Sequence, residues 1–309
     1  MHICEGLLPL PHAAAWWAVS APFVVASALT LRKSWTDGSP EERTLQKLSA
    51  VLIFALTCVP IPIPGIGVTA HMCATPVVGL ILSPLKVIFP TLVALLIQAL
   101  FLGHGGLSSL GANVFTLGVV GPFAAWTICR VLLKMKLPAA VAIACACGAA
   151  DALVYLTDAG MVSLALASKA HFMHWFCLVL AALAPVQIPL AVMESLVSVS
   201  LVKALSSRCE ALVPAKLRIG VLAVPANAVA LVLFLAMVFA SMQAIAQAAP
   251  YQGVDDLLYG ALPRTAHSWM PWLEHNSELE TSFFTIAGLV SGFFVGTLWE
   301  RLRRTAASK

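Results

Sequence analysis

Three uninterrupted apolar stretches constrain this chain more than anything else in it: AAAWWAVSAPFVVASALTL at 13–31, VIFPTLVALLIQALFL at 87–102 and AVALVLFLAMVFA at 228–240. About 20 such residues in a helix cross the hydrocarbon core of a bilayer. Only 10% of the residues are charged and 60% are hydrophobic, so a water-facing polar skin cannot be assembled. The expected fold class is an all-α polytopic membrane protein, because a helix satisfies its own backbone in lipid. Nine segments are read, at about 9–31, 48–64, 74–84, 86–103, 113–132, 138–160, 175–203, 217–244 and 281–300. The short third segment ends at SPLK, where Pro84 favours a tight turn between helices.

Basic residues set the expected orientation. With the amino terminus outside and the carboxyl terminus inside, sixteen of the eighteen Lys and Arg fall on the inner side, and only Lys169 and Arg264 fall outside. That distribution predicts a multi-pass protein of the cytoplasmic membrane with an odd number of spans. The opening MHICEGLLPLPH lacks the basic n-region of a secretory signal, and Met1 is expected to stay because His2 hinders its removal. The eight cysteines contain no C-x-x-C pair, and Cys58, Cys129, Cys145, Cys147 and Cys177 lie in apolar segments as packing residues. A change of composition near Cys209–Lys216 divides the chain into a unit at 1–208 and a two-helix module at 209–309 with an outer loop, about Ile245–Glu280.

The chemistry concentrates at the outer surface. The Met1 amine, the His2 amide and the His2 imidazole are joined by short covalent paths, and together they can close one five-membered and one six-membered chelate ring. Three coplanar nitrogens leave a fourth position, a pattern suited to Ni(II) and Cu(II) and adaptable to Co(II). His71, in GVTAHMCATP, lies on the same face and offers that fourth nitrogen. Met72 and Cys73 beside it are softer donors, which keeps a copper-type site open. His104, in LGHGGLSSLGAN, is expected to orient the site or cap a helix, Asn113 opens the next segment, and Glu5 is read as a neighbour of the ligands or a solvated carboxylate. His12 lies too close to the first helix to be assigned, and His171, His174, His267 and His275 sit in outer segments or loops without ligand spacing. Asp151 and Glu194 stand inside apolar segments, where an ionisable group is costly and a functional candidate. Hydrogen bonding to neighbouring helices explains them equally, and neither is assigned to the metal.

Three function classes are compatible with such a chain. An uptake component binds metal outside and releases it inside; a self-sufficient transporter or channel needs an ionisable path across the membrane; an intramembrane metalloenzyme needs a ligand and base set. No H-E-x-x-H occurs, and HFMHW at 171–175 has two histidines without a matching carboxylate, so the enzyme ranks last. No G-x-x-x-x-G-K-[ST] loop occurs either, so any use of ATP belongs to partner chains. No nucleic-acid partner is expected.

MHICEGLLP at the start, HGGLSSLGANVFTLGVVGPF at 104–123 and PVQIPLAVMESL at 185–196 resemble the CbiM/NikM family, the substrate-specific membrane subunits of energy-coupling-factor transporters for cobalt and nickel. The resemblance covers about residues 1–205. It implies a seven-helix unit with Met1, His2 and His71 as metal ligands, a CbiQ-like transmembrane coupling subunit, paired CbiO-like ATPases, and a link to cobalamin biosynthesis. The family's run after the second span is Ser-His-Pro-Thr-Gly-like, whereas this chain has AHMCATP. FLGHGG resembles the cobalt branch more than the nickel branch, so Co(II) is the first expected substrate and Ni(II) the next. The tail ELETSFFTIAGLVSGFFVGTLWERLRR resembles the small CbiN subunit, which implies a natural M–N fusion. In such a module Asp255, Asp256, Glu274, Glu278 and Glu280 would attract cations toward the entrance.

Overall fold

The computed structural model describes residues 2–59, 61–63, 68–166, 172–219, 252–253, 270, 272 and 277–307. Expectations that rest on Met1, His171, Lys169, Arg264, His267 and His275, on Asp255, Asp256 and Glu274, and on the span at 217–244 lie outside these residues. So do those on the side chains of Glu278 and Glu280.

Helix α1 (Leu10–Asp37) begins behind Pro9 with Pro11 in its first turn, where a missing N–H costs nothing. Gly38 and Ser39 separate it from α2 (Pro40–Thr57). The sequence reading started this second helix eight residues too late. Ser39 and Glu42 form a reciprocal capping box, and Pro40 occupies the first turn, so the helix starts at Pro40. It also ends early. Pro60, Pro62 and Pro64 follow within seven residues of Thr57, and proline supplies no helical N–H. Residues expected to finish that helix instead form strand β1 (Ile61–Ile63), antiparallel to β2 (Val68–Ala70). Strand β3 (Gln252–Gly253) pairs parallel to β2 at Val68 and Thr69.

Helix α3 (Thr75–Leu82) is short, and Ser83 alone joins it to α4 (Pro84–Phe101). Helix α5 (Leu110–Lys134) has a π-helical stretch over Val114–Val120. Helices α6 (Ala139–Leu166) and α7 (Phe172–Arg208) follow, and α8 (Ser277–Ala307) ends the described chain. Among the described residues, six helical stretches are long and apolar enough to cross a membrane. Leu10, Val25, Leu29, Leu164, Ile188, Leu289 and Phe293 are exposed on them, as lipid-facing positions require.

Among the described residues the apolar side chains form two large cores and a small third cluster. One gathers Ile3, Leu7 and Leu8 with Leu110, Leu117, Val162, Val186 and Leu190. The other gathers Leu45, Val77, Ala125, Ile143 and Val202 with Leu302 from α8. The first core therefore swallows the amino-terminal segment itself, which is what brings His2 into the protein.

Candidate metal centre

The amino-terminal segment is held by its backbone. Ile3 N–H donates to Asn113 Oδ1 (2.7 Å), and Asn113 Nδ2 donates back to the Ile3 carbonyl (2.9 Å). The Ser109 hydroxyl donates to the same carbonyl. A carboxamide carries its acceptor and its donor on separate atoms, so it can answer an N–H and a C=O together. Glu5 Oε2 accepts from Ser108 N–H (3.2 Å). The glycines of HGG make room. Gly105 has φ +76, and a Cβ on Gly106 would lie 2.7 Å from the Glu5 backbone.

The His71 turn is anchored differently. Ala74, at φ 59, is left-handed, so the adjacent N–H groups of Cys73 and Ala74 can turn toward one acceptor. Glu194 of α7 receives both, one on each carboxylate oxygen, at 3.1 Å each. The Cys73 thiol donates to Asp151 Oδ1 of α6 (3.0 Å), and Gln187 Nε2 donates to Asp151 Oδ2. Asp151 and Glu194, read from the sequence without a role, are thus the support beneath this turn. The Cys73 thiol is engaged there and stands outside the imidazole cluster.

Both anchors deliver imidazoles to one place. Ring centroids are 4.7 Å apart for His2 and His71, 4.5 Å for His2 and His104, and 5.4 Å for His71 and His104. A ligand atom from each of the three lies within 4.8 Å of the others. His104, expected to orient the site or cap a helix, contributes a ring to the cluster itself. Its flanking glycines were the available signal, since they mark a loop that something approaches closely.

Protonation favours ligation. His2 is 1% exposed and His71 5%. Burial, followed by the positive charge His104 and His71 would carry, holds His2 well below its ordinary value of 6.5. Burial first, then neighbouring positive charge including His104, does the same for His71. His71 Nδ1 must donate to the Met72 carbonyl (3.1 Å), because a carbonyl only accepts, and Nε2 is left with its lone pair. Among the described residues, His71 Nε2 and both ring nitrogens of His2 have no hydrogen-bond partner. Buried polar atoms are normally satisfied, so neutral, converging, unsatisfied nitrogens fit a divalent transition metal.

Residues 2–212 match the family described as the cobalt uptake substrate-specific transmembrane region, CbiM. A Geobacter sulfurreducens protein named cobalt transport protein CbiM is 35% identical over 325 residues, covering 99% of this chain and 91% of that protein. A Sorangium cellulosum protein of the same name is 35% identical over 208 residues, covering 67% of this chain and 92% of its own. A crystal structure described as a transition metal transporter shares the fold, with a TM-score of 0.59 at 24% identity over 67% of this chain and 93% of that one. This chain belongs to the CbiM family, and it is a membrane transporter component rather than an enzyme.

Proposed function

We propose that the chain is the substrate-capturing component of an ATP-driven Co(II) importer, taking the ion at the outer face with its own amino terminus. The observation that carries this reading is the cluster of His2, His71 and His104, whose ligand atoms lie within 4.8 Å of one another. The Met1 amine, the His2 amide and imidazole, and His71 Nε2 supply four nitrogens. Asn113 and Glu5 hold the amino-terminal segment, and Cys73 ties the His71 turn to Asp151. The names of the relatives support cobalt as cargo. Ni(II) is the next ion, since the donor set suits it as well.

The placement of Lys and Arg supports an outer amino terminus and an inner carboxyl terminus in the cytoplasmic membrane. Without a phosphate-binding loop, the chain would depend on a CbiQ-like coupling subunit and CbiO-like ATPases for energy. The carboxyl-terminal part, 209–309, is read as a CbiN-like module that assists loading.

The test is metal analysis of the purified chain with competition among Co(II), Ni(II) and Cu(II). One equivalent of tightly held Co(II), with no ATP hydrolysis in the absence of partners, is the expected result. Uptake into vesicles by this chain alone would instead establish a self-sufficient transporter.

A further inference from the structure

Two contacts tie the carboxyl-terminal part of the chain to the cluster. Strand β3 pairs with β2 at Val68 and Thr69, just before His71. Phe284 of α8 stands edge-on to His104, with ring centroids 5.1 Å apart and planes at 89°.

The backbone of His104 is fixed without help from α8. His104 N–H donates to the Gln98 carbonyl (3.2 Å), and Gln98 Nε2 donates to Thr57 Oγ1 (2.7 Å), joining the ends of α4 and α2. The side chain is another matter. Gly103 (φ 63) and Gly105 (φ 76) flank it and carry no side chain to restrict its rotation. Phe284 supplies a wall. It is buried among Cys58 and Leu102, with Phe54 and Ala287 beside it. At the far end of the same helix Leu302 is fully buried in the second core, about 27 Å away at 1.5 Å per residue. A helix anchored at both ends makes Phe284 a fixed stop.

We propose that Phe284 is a specificity-determining positioning residue: it holds the His104 imidazole against His2 and His71 as an additional nitrogen donor, and so favours Co(II) over Ni(II). This rests on the reading of the cluster as the capture site. Four nitrogens from Met1, His2 and His71 satisfy an ion that accepts a square-planar field, as Ni(II) does. A further imidazole held close raises the coordination number, which Co(II) accepts more readily. Selectivity between neighbouring metals comes from such geometry rather than from raw affinity.

The test uses the full-length purified chain and compares the wild type with His104→Ala, Phe284→Leu and Phe284→Tyr. Two quantities are read: the visible spectrum of bound Co(II) and the Co(II)/Ni(II) affinity ratio from competition. Leucine fills much of the ring's space, so folding is kept while the aromatic edge is lost. His104→Ala and Phe284→Leu are expected to shift the spectrum in the same direction and to lower the ratio by about tenfold, the scale of losing a ligand-orienting partner. Phe284→Tyr keeps the ring edge and restores both readings. A Phe284→Leu protein with wild-type spectrum and ratio overturns the proposal, as does a silent His104→Ala. A wild-type chain that binds no Co(II) overturns the capture-site reading beneath it, which separates the two failures.

Discussion

The amino-terminal segment and the His71 turn place imidazoles 4.7 Å apart, yet they are built on opposite principles. The first is an extended strip of backbone clasped by a neutral amide and a hydroxyl, with glycines cleared beneath it. The second is a left-handed turn whose two buried N–H groups are gripped by one buried carboxylate. An amide can answer both the N–H and the C=O of a peptide and so fixes the register of the segment. A carboxylate can only accept, and so it suits a turn that presents donors alone. The first anchor carries His2 to the imidazole cluster; the second holds the left-handed bend at Ala74 in place.

The comparison can be broken most severely at the amino terminus. Inserting one residue between Met1 and His2 breaks the five-membered ring between the terminal amine and the His2 amide while sparing every anchoring bond to Ile3. Loss of Co(II) affinity by more than about 100-fold is expected in a metal titration, beyond the range for residues that only orient ligands. Unchanged affinity would show that the anchored segment serves packing alone.

Glu194→Ala strikes the other anchor. It strands two buried N–H donors, at roughly 1–3 kcal/mol each, and frees the bend at Ala74. A loss of Co(II) affinity of roughly 10- to 100-fold is expected, with His71→Ala as the benchmark for full loss of that ligand. Asn113→Ala should cost less, roughly tenfold, because Ser109 still serves the Ile3 carbonyl and only the Ile3 N–H is stranded. If Asn113→Ala proves the more damaging, the clasp rather than the carboxylate is the dominant support. The smallest effect sharpens the contrast. Ala74→Gly suits the positive φ and should leave affinity unchanged within about twofold, with thermal stability altered by no more than about 1 kcal/mol. A large loss of affinity there would mean that the bend must be rigid for His71 to bind.

Some of this was readable in the chain alone. Apolar run length located the membrane helices, Pro84 marked the turn after the third helix, and the Met1-His2 pair and His71 were candidate ligands from their chemistry. The early start of α2 was also present, in Ser39 and Glu42, but its polar first half masked a helix that apolar runs alone could not reveal. His104 was legible as a neighbour of the site but its place in the cluster was not, because its nearest imidazole belongs to His2, more than a hundred positions away. Nor was the role of Glu194, whose partners Cys73 and Ala74 lie 121 and 120 residues distant.

The sequence by itself determined the solvent, since no arrangement of so few charges could face water, and it offered the candidate donors, since imidazole nitrogens suit late divalent metals. Only the tertiary structure decided which side chains meet. Convergence of His2, His71 and His104 rests on a buried amino-terminal segment and on a turn held by a carboxylate from a distant helix. Such long-range pairings leave no periodic trace in a single chain, because each is set by the shape of the bundle rather than by the spacing of neighbours.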